Sequence, residues 1–465
     1  MSGLKAVTLN GTDVVLDQPV IETFRADLRG KLLTPADVGY DSARRIWNAM
    51  IDKRPALIAR CEGAADVGKA VRFAAAHELL VSVRGGGHNV AGTAVCDGGL
   101  MIDLSLMKGI RVDPTARTAL AQPGLLWQDF DHETQAYGLA TTGGVVGETG
   151  IAGLTLGGGV GWLVRKHGLS CDNLLAADVV TADGQLQHAS PATNQDLFWA
   201  LRGGGGNFGV VTAFQYQLHA VPAILGGLVI HPRTAARDVI RFHRDFVTSA
   251  PEELTSYVGL LTAPDGNPVV ALASCYCGDL QEGERVLRPL RQFGAPLMDG
   301  MQVMPYTGMQ GLFGPAFPWN NRNYWKSSYL REFPDAAVDT VVDYANRSPS
   351  ALSVVVIEYY GGVVSRVATD ATAFAHRGAN FNVLILGQWK EAAEDALQVQ
   401  WARDSWQAIQ PWTSSAVEMN TLSEGEDPQV VRASYGSNYT RLATLKARLD
   451  PQNLFRMNQN ITPAP

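Results

Sequence analysis

The 465-residue chain is 46% hydrophobic and 18% charged, the balance of a globular protein with large cores rather than a disordered one. Its net charge of −7 comes without any basic run, which excludes nucleic acid as an expected partner because phosphate binding needs clustered Lys and Arg. No apolar run is long enough to span a bilayer, so no membrane partner is expected, and the length suggests about two to three domains. The opening residues, Met1 to Asn10, lack the apolar core of a signal peptide. Five cysteines, Cys61, Cys96, Cys171, Cys275 and Cys277, fit neither a disulfide framework nor zinc-ligand spacing. The expectation is a cytoplasmic protein with buried free thiols and no metal site.

In chain order, residues 44–50 have helical apolar spacing, and residues 64–80 repeat it with Val67, Val71, Phe73 and Ala74 on one face. Val81 and Val83 read as a strand, and 99–104 as another. Residues 109–112 and 119–122 alternate like a hairpin around Asp113-Pro114. Residues 126–137 predict a helix ended by Gly138. Two strands turn at Asp183-Gly184, a helix begins at Asp196, and 210–218 is a strand. Beyond Val221-Pro222 the texture changes. Predicted strands at 226–231, 256–261, 269–276, 353–360 and 382–388 alternate with amphipathic helices at 235–248, 280–293, 335–346 and 392–409. That pattern predicts an antiparallel sheet covered by helices, a separate α+β unit.

The 48 glycines cluster almost entirely before residue 227. At Val83-Arg84-Gly85-Gly86-Gly87-His88-Asn89 a strand runs into three glycines. Without Cβ atoms the backbone can turn sharply and bring N–H groups close to an anion, and His88 at the end of the loop can reach what the loop holds. A longer run, 141–162, contains Val146, Gly147, Thr149, Gly150, Gly153, Gly157, Gly158, Gly161 and Trp162. It is too extended for a single dinucleotide fingerprint. Either a long, flat, anionic cofactor presses on it or helices and strands pack tightly there.

Taken with Gly168–Leu174 (GLSCDNL), residues 196–212 (DLFWALRGGGGNFGVVT), 435–442 (YGSNYTRL) and 450–461 (DPQNLFRMNQNI), these motifs occur in one order. By them the chain resembles the berberine-bridge-enzyme-like flavoproteins of the vanillyl-alcohol-oxidase and p-cresol-methylhydroxylase superfamily, and within these the bacterial hydroxynicotine-oxidase-like branch. The resemblance implies an α+β fold with a p-cresol-methylhydroxylase-type FAD-binding domain over residues 1–222. A substrate domain would follow at 223–415, and a C-terminal segment at 416–465 would return to the first domain. It implies FAD bound at Arg84, Gly85, Gly86, Gly87, His88, Asn89, Val146, Gly147, Thr149, Gly150, Gly153, Gly157, Gly158, Gly161, Trp162, Cys171, Asp172, Asn173, Val180 and Asn438. His88 matches the histidine that bonds to the flavin 8α-methyl group. A second link through a cysteine is not expected, because Val146 occupies or adjoins that place and no cysteine lies between Cys96 and Cys171.

For the chemistry, a base must stand within hydrogen-bond reach of the substrate. Tyr435, which opens the C-terminal motif, is the leading active-site aromatic by resemblance. Glu358 sits in the apolar run Val354–Tyr360 and is either paired or functional, since burying it alone is costly. Alternation puts Glu358 and Tyr360 on one face. Lys326 either enters the cavity or forms a surface salt bridge, and Phe317, Trp319, Tyr324, Trp325 and Tyr329 suggest an aromatic pocket or a plain core. Residues 417–420, Val-Glu-Met-Asn, depart from the family pattern, where a tyrosine is common. The expected activity is FAD-dependent removal of hydride from a carbon bearing OH or NH of a small organic substrate. Electrons would pass to O2 or another acceptor. A flavin-dependent oxidative cyclase and a flavin-loaded binding protein are the alternatives.

Overall fold

The computed structural model describes residues 3–414 and 416–465. Met1 and Ser2, the first residues of the stretch read for a signal peptide, and Ser415, the expected end of the substrate domain, lie outside the described residues. A four-stranded sheet is built from β1 (Lys31–Leu33), β2 (Leu57–Arg60), β3 (Val81–Arg84) and β4 (Leu100–Asp103) in the order β1-β2-β4-β3. β2, β4 and β3 run parallel, and α1 (Ala64–Ala76) supplies the crossover between β2 and β3. A five-stranded antiparallel sheet follows: β5 (Ile110–Asp113), β6 (Thr118–Ala121), β7 (Leu174–Val180), β8 (Leu186–Ala189) and β9 (Val210–Gln217), ordered β8-β7-β9-β6-β5.

The largest sheet is antiparallel throughout. Its main strands are β10 (Ile224–Pro232), β11 (Leu254–Thr262), β12 (Pro268–Tyr276), β13 (Arg322–Leu330), β14 (Val354–Tyr359) and β15 (Phe381–Trp389), ordered β10-β12-β11-β14-β15-β13. Helices α2 (Ala236–Ser249), α3 (Leu280–Gln292), α4 (Asp335–Ala345) and α5 (Asp395–Ile409) cover one face of it. Their apolar sides meet Val229, Val258, Leu260, Leu272, Val355, Ile357, Val383 and Ile385 in a single core. Because strand side chains alternate, Leu228, Gly259, Val356, Glu358 and Leu384 point to the opposite face, toward the two smaller sheets.

The C-terminal helices α6 (Pro428–Tyr435) and α7 (Tyr439–Leu449) pack into the core of the five-stranded sheet, and Leu454 and Phe455 into that of the four-stranded one. A fully buried Lys446–Asp450 pair at 2.7 Å anchors this return, with Lys446 also donating to the carbonyls of Asn207 and Phe455. Among the described residues no cysteine is disulfide-bonded, and no helix is long and apolar enough to cross a membrane.

One local expectation is corrected, and one strand is added to those predicted. The helical spacing at 44–50 yields a helix only at Tyr40–Arg44, because tertiary partners take the backbone that follows. Trp47 N–H donates to Gly87 O, Ala49 N–H to Asn321 O, and the Asn48 side chain to Val90 O and Asn323 O. The 322–330 strand escaped the alternation test because aromatic and polar residues fall on both of its faces.

Candidate functional site

An elongated cavity of about 410 Å³ lies between the smaller sheets and the free face of the large one. One end is formed by the glycine loop after α-helical Leu201 (Gly203, Gly205, Gly206, Gly209) with Phe455 and Met457–Gln459. The middle is formed by Gly85–Asn89, Val146, Thr149, Gly150, Gly153 and Gly157, and the floor beyond by the large sheet. The loops after β3 and at the start of the 151–156 helix interlock: a Cβ on Gly86 would stand 2.7 Å from Gly150 N, and one on Gly150 2.6 Å from Gly86 N. Gly153 and Gly206 instead face open space, with nothing within 3.9 Å of an added Cβ except Asn458 Nδ2. These are positions where a side chain would fill the room a ligand needs.

His88 stacks on Trp47, ring centroids 4.3 Å apart and 17° from parallel, and Trp47 is held by a 3.0 Å hydrogen bond to Phe317 O. The His88 side chain faces the cavity, and its Nε2 is shielded and has no hydrogen-bond partner. Burial pushes its pKa down to about 4, so the imidazole is neutral and nucleophilic at physiological pH. The bare backbone of this cavity and an unpartnered neutral imidazole fit a flat anionic cofactor of the FAD type.

Where the floor meets the C-terminal segment, two carboxyls face each other. Glu358 Oε2 accepts from Tyr360 Oη at 2.8 Å and from Asn382 Nδ2 at 3.0 Å. Glu418 Oε2 is 3.2 Å from the same Tyr360 Oη and 3.0 Å from the same Asn382 Nδ2. Desolvation pushes both carboxyls upward, and the charge of Glu358 raises Glu418 further. Two buried carboxyls sharing donors cannot both ionise readily, so the pair retains a proton near neutral pH. The same field, added to burial, keeps the Tyr257, Tyr329 and Tyr360 phenols protonated.

The structure separates the expected site residues into groups. Gly85, Gly86, Gly87, His88, Asn89, Val146, Thr149, Gly150, Gly153, Gly157, Glu358 and Tyr435 line the cavity. Lys326 does not: its neighbour Trp325 takes the cavity face, so alternation turns Lys326 toward α5, where it pairs with Glu426 at 2.6 Å beside Trp406. Tyr435 reaches the cavity, but its hydroxyl donates to Gln459 O at 2.7 Å and accepts from Asn207 Nδ2 at 3.2 Å. Tyr435, Glu358 and Lys326 therefore do not converge as a trio.

Several glycines and polar residues expected at the cofactor do not line the cavity and make packing contacts. Gly158 has φ +123° and lies against Phe374, Gly161 packs on the Gly143 backbone, and Gly147 on Gln128. Trp162 stacks on Phe313 and lies tilted against Tyr257. Cys171 is buried beside the bidentate Asp172–Arg377 pair, both bonds 2.7 Å. Asn173 holds the carbonyls of His167 and Leu169, Asn438 those of Thr369 and Thr372, and Val180 sits in the core. Arg84 bonds to Ala43 O at 2.5 Å, behind the glycine loop.

Sequence reasoning missed Glu418 and the 203–209 glycine loop as cavity residues, and Asn382 as the residue that holds the two carboxyls. The loop's run of four glycines was a usable signal. Glu418 lies in the 417–420 stretch that departs from the family pattern, and only three-dimensional pairing shows its use.

The fold and this cavity define an FAD-binding oxidoreductase. Residues 55–190 match the FAD binding domain family, and residues 419–462 match the berberine and berberine-like family. The chain is 34% identical over 454 residues to (R)-6-hydroxynicotine oxidase of Paenarthrobacter nicotinovorans, covering 94% of this chain and 97% of that one. It is 29% identical over 451 residues to a chitooligosaccharide oxidase of Gibberella zeae, covering 90% and 89%. The crystal structure of 6-hydroxy-D-nicotine oxidase from Arthrobacter nicotinovorans matches with a TM-score of 0.86 at 31% identity, over 94% of this chain and 98% of that one. The chain belongs to the berberine-bridge-enzyme-like FAD-linked oxidoreductases.

Proposed function

We propose that this protein oxidises a carbon bearing OH or NH in a small, largely apolar organic molecule, with Glu358 as the base. Bound FAD supplies the two-electron oxidant that accepts the hydride, and O2 or another acceptor takes the electrons afterwards. His88 holds the cofactor covalently and alone: its Nε2 is neutral and partnerless, and Val146 rather than a cysteine lines the cavity at the place of a second link. The glycine loops at 85–87, 150–153 and 203–206 carry the cofactor along their backbones. The five buried, unpaired cysteines support a reducing, cytoplasmic setting.

The observation that carries this reading is the Glu358–Glu418 pair, set in an otherwise apolar floor of the cavity that His88 shares. Asn382 and Tyr360 hold the carboxyls in place. With one proton retained on the pair, one carboxylate oxygen is free to accept the substrate O–H or N–H proton. The aliphatic and aromatic walls exclude water, which keeps that oxygen basic. Sugars, alcohols and amines are then distinguished by how much apolar surface they bring to Val354, Val356, Leu384 and Leu386.

An anaerobic screen of alcohols, amines and sugars, watching the flavin absorbance, tests the reading. Glu358→Gln should slow flavin reduction by about 10²-fold or more while flavin content stays unchanged. Reduction at the wild-type rate in Glu358→Gln would remove Glu358 from the chemistry.

A further inference from the structure

The register of the large sheet sorts its cavity face into rungs. One rung carries Leu228, Ala273, Tyr257, Glu358, Asn382 and Tyr329 across six strands. The next carries Ile230, Ala271, Gly259, Val356, Leu384 and Ser327. The first holds the polar machinery, and the second is apolar from Ile230 to Leu384, its end residue Ser327 being tied to Glu418 N–H and the Thr421 hydroxyl. At the centre of the second rung the surface drops, because Gly259 has no side chain and Ala271, beside it, and Ala273, on the first rung, have only methyl groups.

Gly259 is not needed by the backbone. Its φ lies outside the left-handed region, and an added Cβ would meet only Leu261 Cδ2, at 3.3 Å, with nothing else within 4 Å. By contrast, Gly227, two strands away, has φ +142° and packs against the Gly300 backbone. Glycine inside a strand weakens it and marks places where another group approaches the backbone. Here the open space belongs to the cavity, and Leu228, Ile230, Leu261 and Val356 wall it. Gly259 and Ile230 remain partly exposed, so this hollow lies on the way in from solvent.

We propose that the hollow over Gly259, Ala271 and Ala273 is the specificity subsite for a planar aromatic group of the substrate; this rests on the reading of Glu358 as the proton acceptor. Neighbouring strands lie about 4.8 Å apart and successive rungs about 6.7 Å, which puts Gly259 about 8 Å from Glu358 along the sheet. A fused bicyclic ring with its hydroxyl at the carboxyl pair spans that distance, and a single ring does not. The substrate class is therefore an aromatic-bearing alcohol or secondary amine whose ring extends beyond the reacting carbon. An oligosaccharide would find no side-chain hydrogen-bond partner in the hollow's walls.

The test uses phenol and 2-naphthol, which carry the hydroxyl but no hydrogen on the carbon bearing it, so they bind without being oxidised. Binding is read from the perturbation of the flavin's visible spectrum in the holoprotein. Wild type should bind 2-naphthol at least about tenfold more tightly than phenol, the worth of one buried aromatic ring edge. Gly259→Leu should erase that preference with phenol affinity and flavin content unchanged. Ala271→Leu, on the adjacent strand, should do the same and serves if the first variant loses flavin. A preference that survives in the variants that retain flavin, loss of flavin by both, or a wild type that shows no preference or binds neither probe, overturns the subsite. Weaker binding of both probes in Glu358→Gln tests the underlying reading separately: if phenol binding ignores Glu358, that reading fails whatever the naphthol ratio shows.

Discussion

Replacing Glu418 with Gln removes one member of the carboxyl pair while preserving shape and hydrogen bonding. Both Oε2 atoms contact the same Tyr360 Oη, at 2.8 and 3.2 Å, so they are no more than about 6 Å apart. At that separation and an effective dielectric constant of about 20, two unit charges repel by about 3 kcal/mol, or about two pH units. Glu358 ionises first, against a still-protonated Glu418, so the repulsion falls on Glu418 and holds it up by about that amount, and Glu418→Gln should leave the titration of Glu358 in place. Because the base acts deprotonated while its partner keeps a proton, the acid limb of the pH profile of flavin reduction should stay in place in Glu418→Gln. The assay is anaerobic stopped-flow reduction with the fastest alcohol or amine from the screen. Melting temperature supplies an independent check. A carboxyl with a raised folded pKa binds more protons folded than unfolded, so its penalty appears as pH climbs from ordinary carboxylate values through the raised one. Glu418→Gln should be more stable than wild type above neutrality and no more stable near pH 4. An acid limb that moves by about two units in Glu418→Gln, or an unchanged alkaline melting temperature, would refute this order of ionisation.

His88→Ala should release the yellow colour to the supernatant on acid precipitation, whereas wild type should stay coloured; a labelled peptide containing Cys171 would contradict the single link. Tyr435→Phe should cost about 1 kcal/mol of stability, since the hydroxyl's bond to Gln459 O is lost while Asn207 keeps its bonds to Gly204 O and Gln459 O. Its flavin reduction rate should stay at the wild-type value, and a tenfold slowing would return Tyr435 to the chemistry.

Much of the architecture was written in local pattern. The glycine loop ending in His88, the change of texture after Val221-Pro222 and the strand–helix alternation of the second half each depend on neighbours in sequence. Turn geometry and amphipathic period are local properties, so they survive in one dimension. Alternation also placed Glu358 and Tyr360 on one face, and they meet at 2.8 Å.

What the tertiary structure decided was which of those residues meet. Whether a glycine serves a ligand or a neighbouring chain depends on what stands above it: Gly153 faces open space, while Gly161 carries the Gly143 backbone. Lys326 and Trp325 are adjacent in sequence, yet one pairs with Glu426 outside and the other lines the cavity, because the strand's pleat sends them apart. Glu418 stands 60 residues from its partner Glu358 in sequence and shares its donors only because the 416–427 segment lies along β13, with Glu418 N–H bonded to Ser327 Oγ and Trp325 N–H to Ser423 Oγ. A raised carboxyl pKa is a property of that meeting: it needs burial and a like charge brought within reach, and neither exists until the chain has folded.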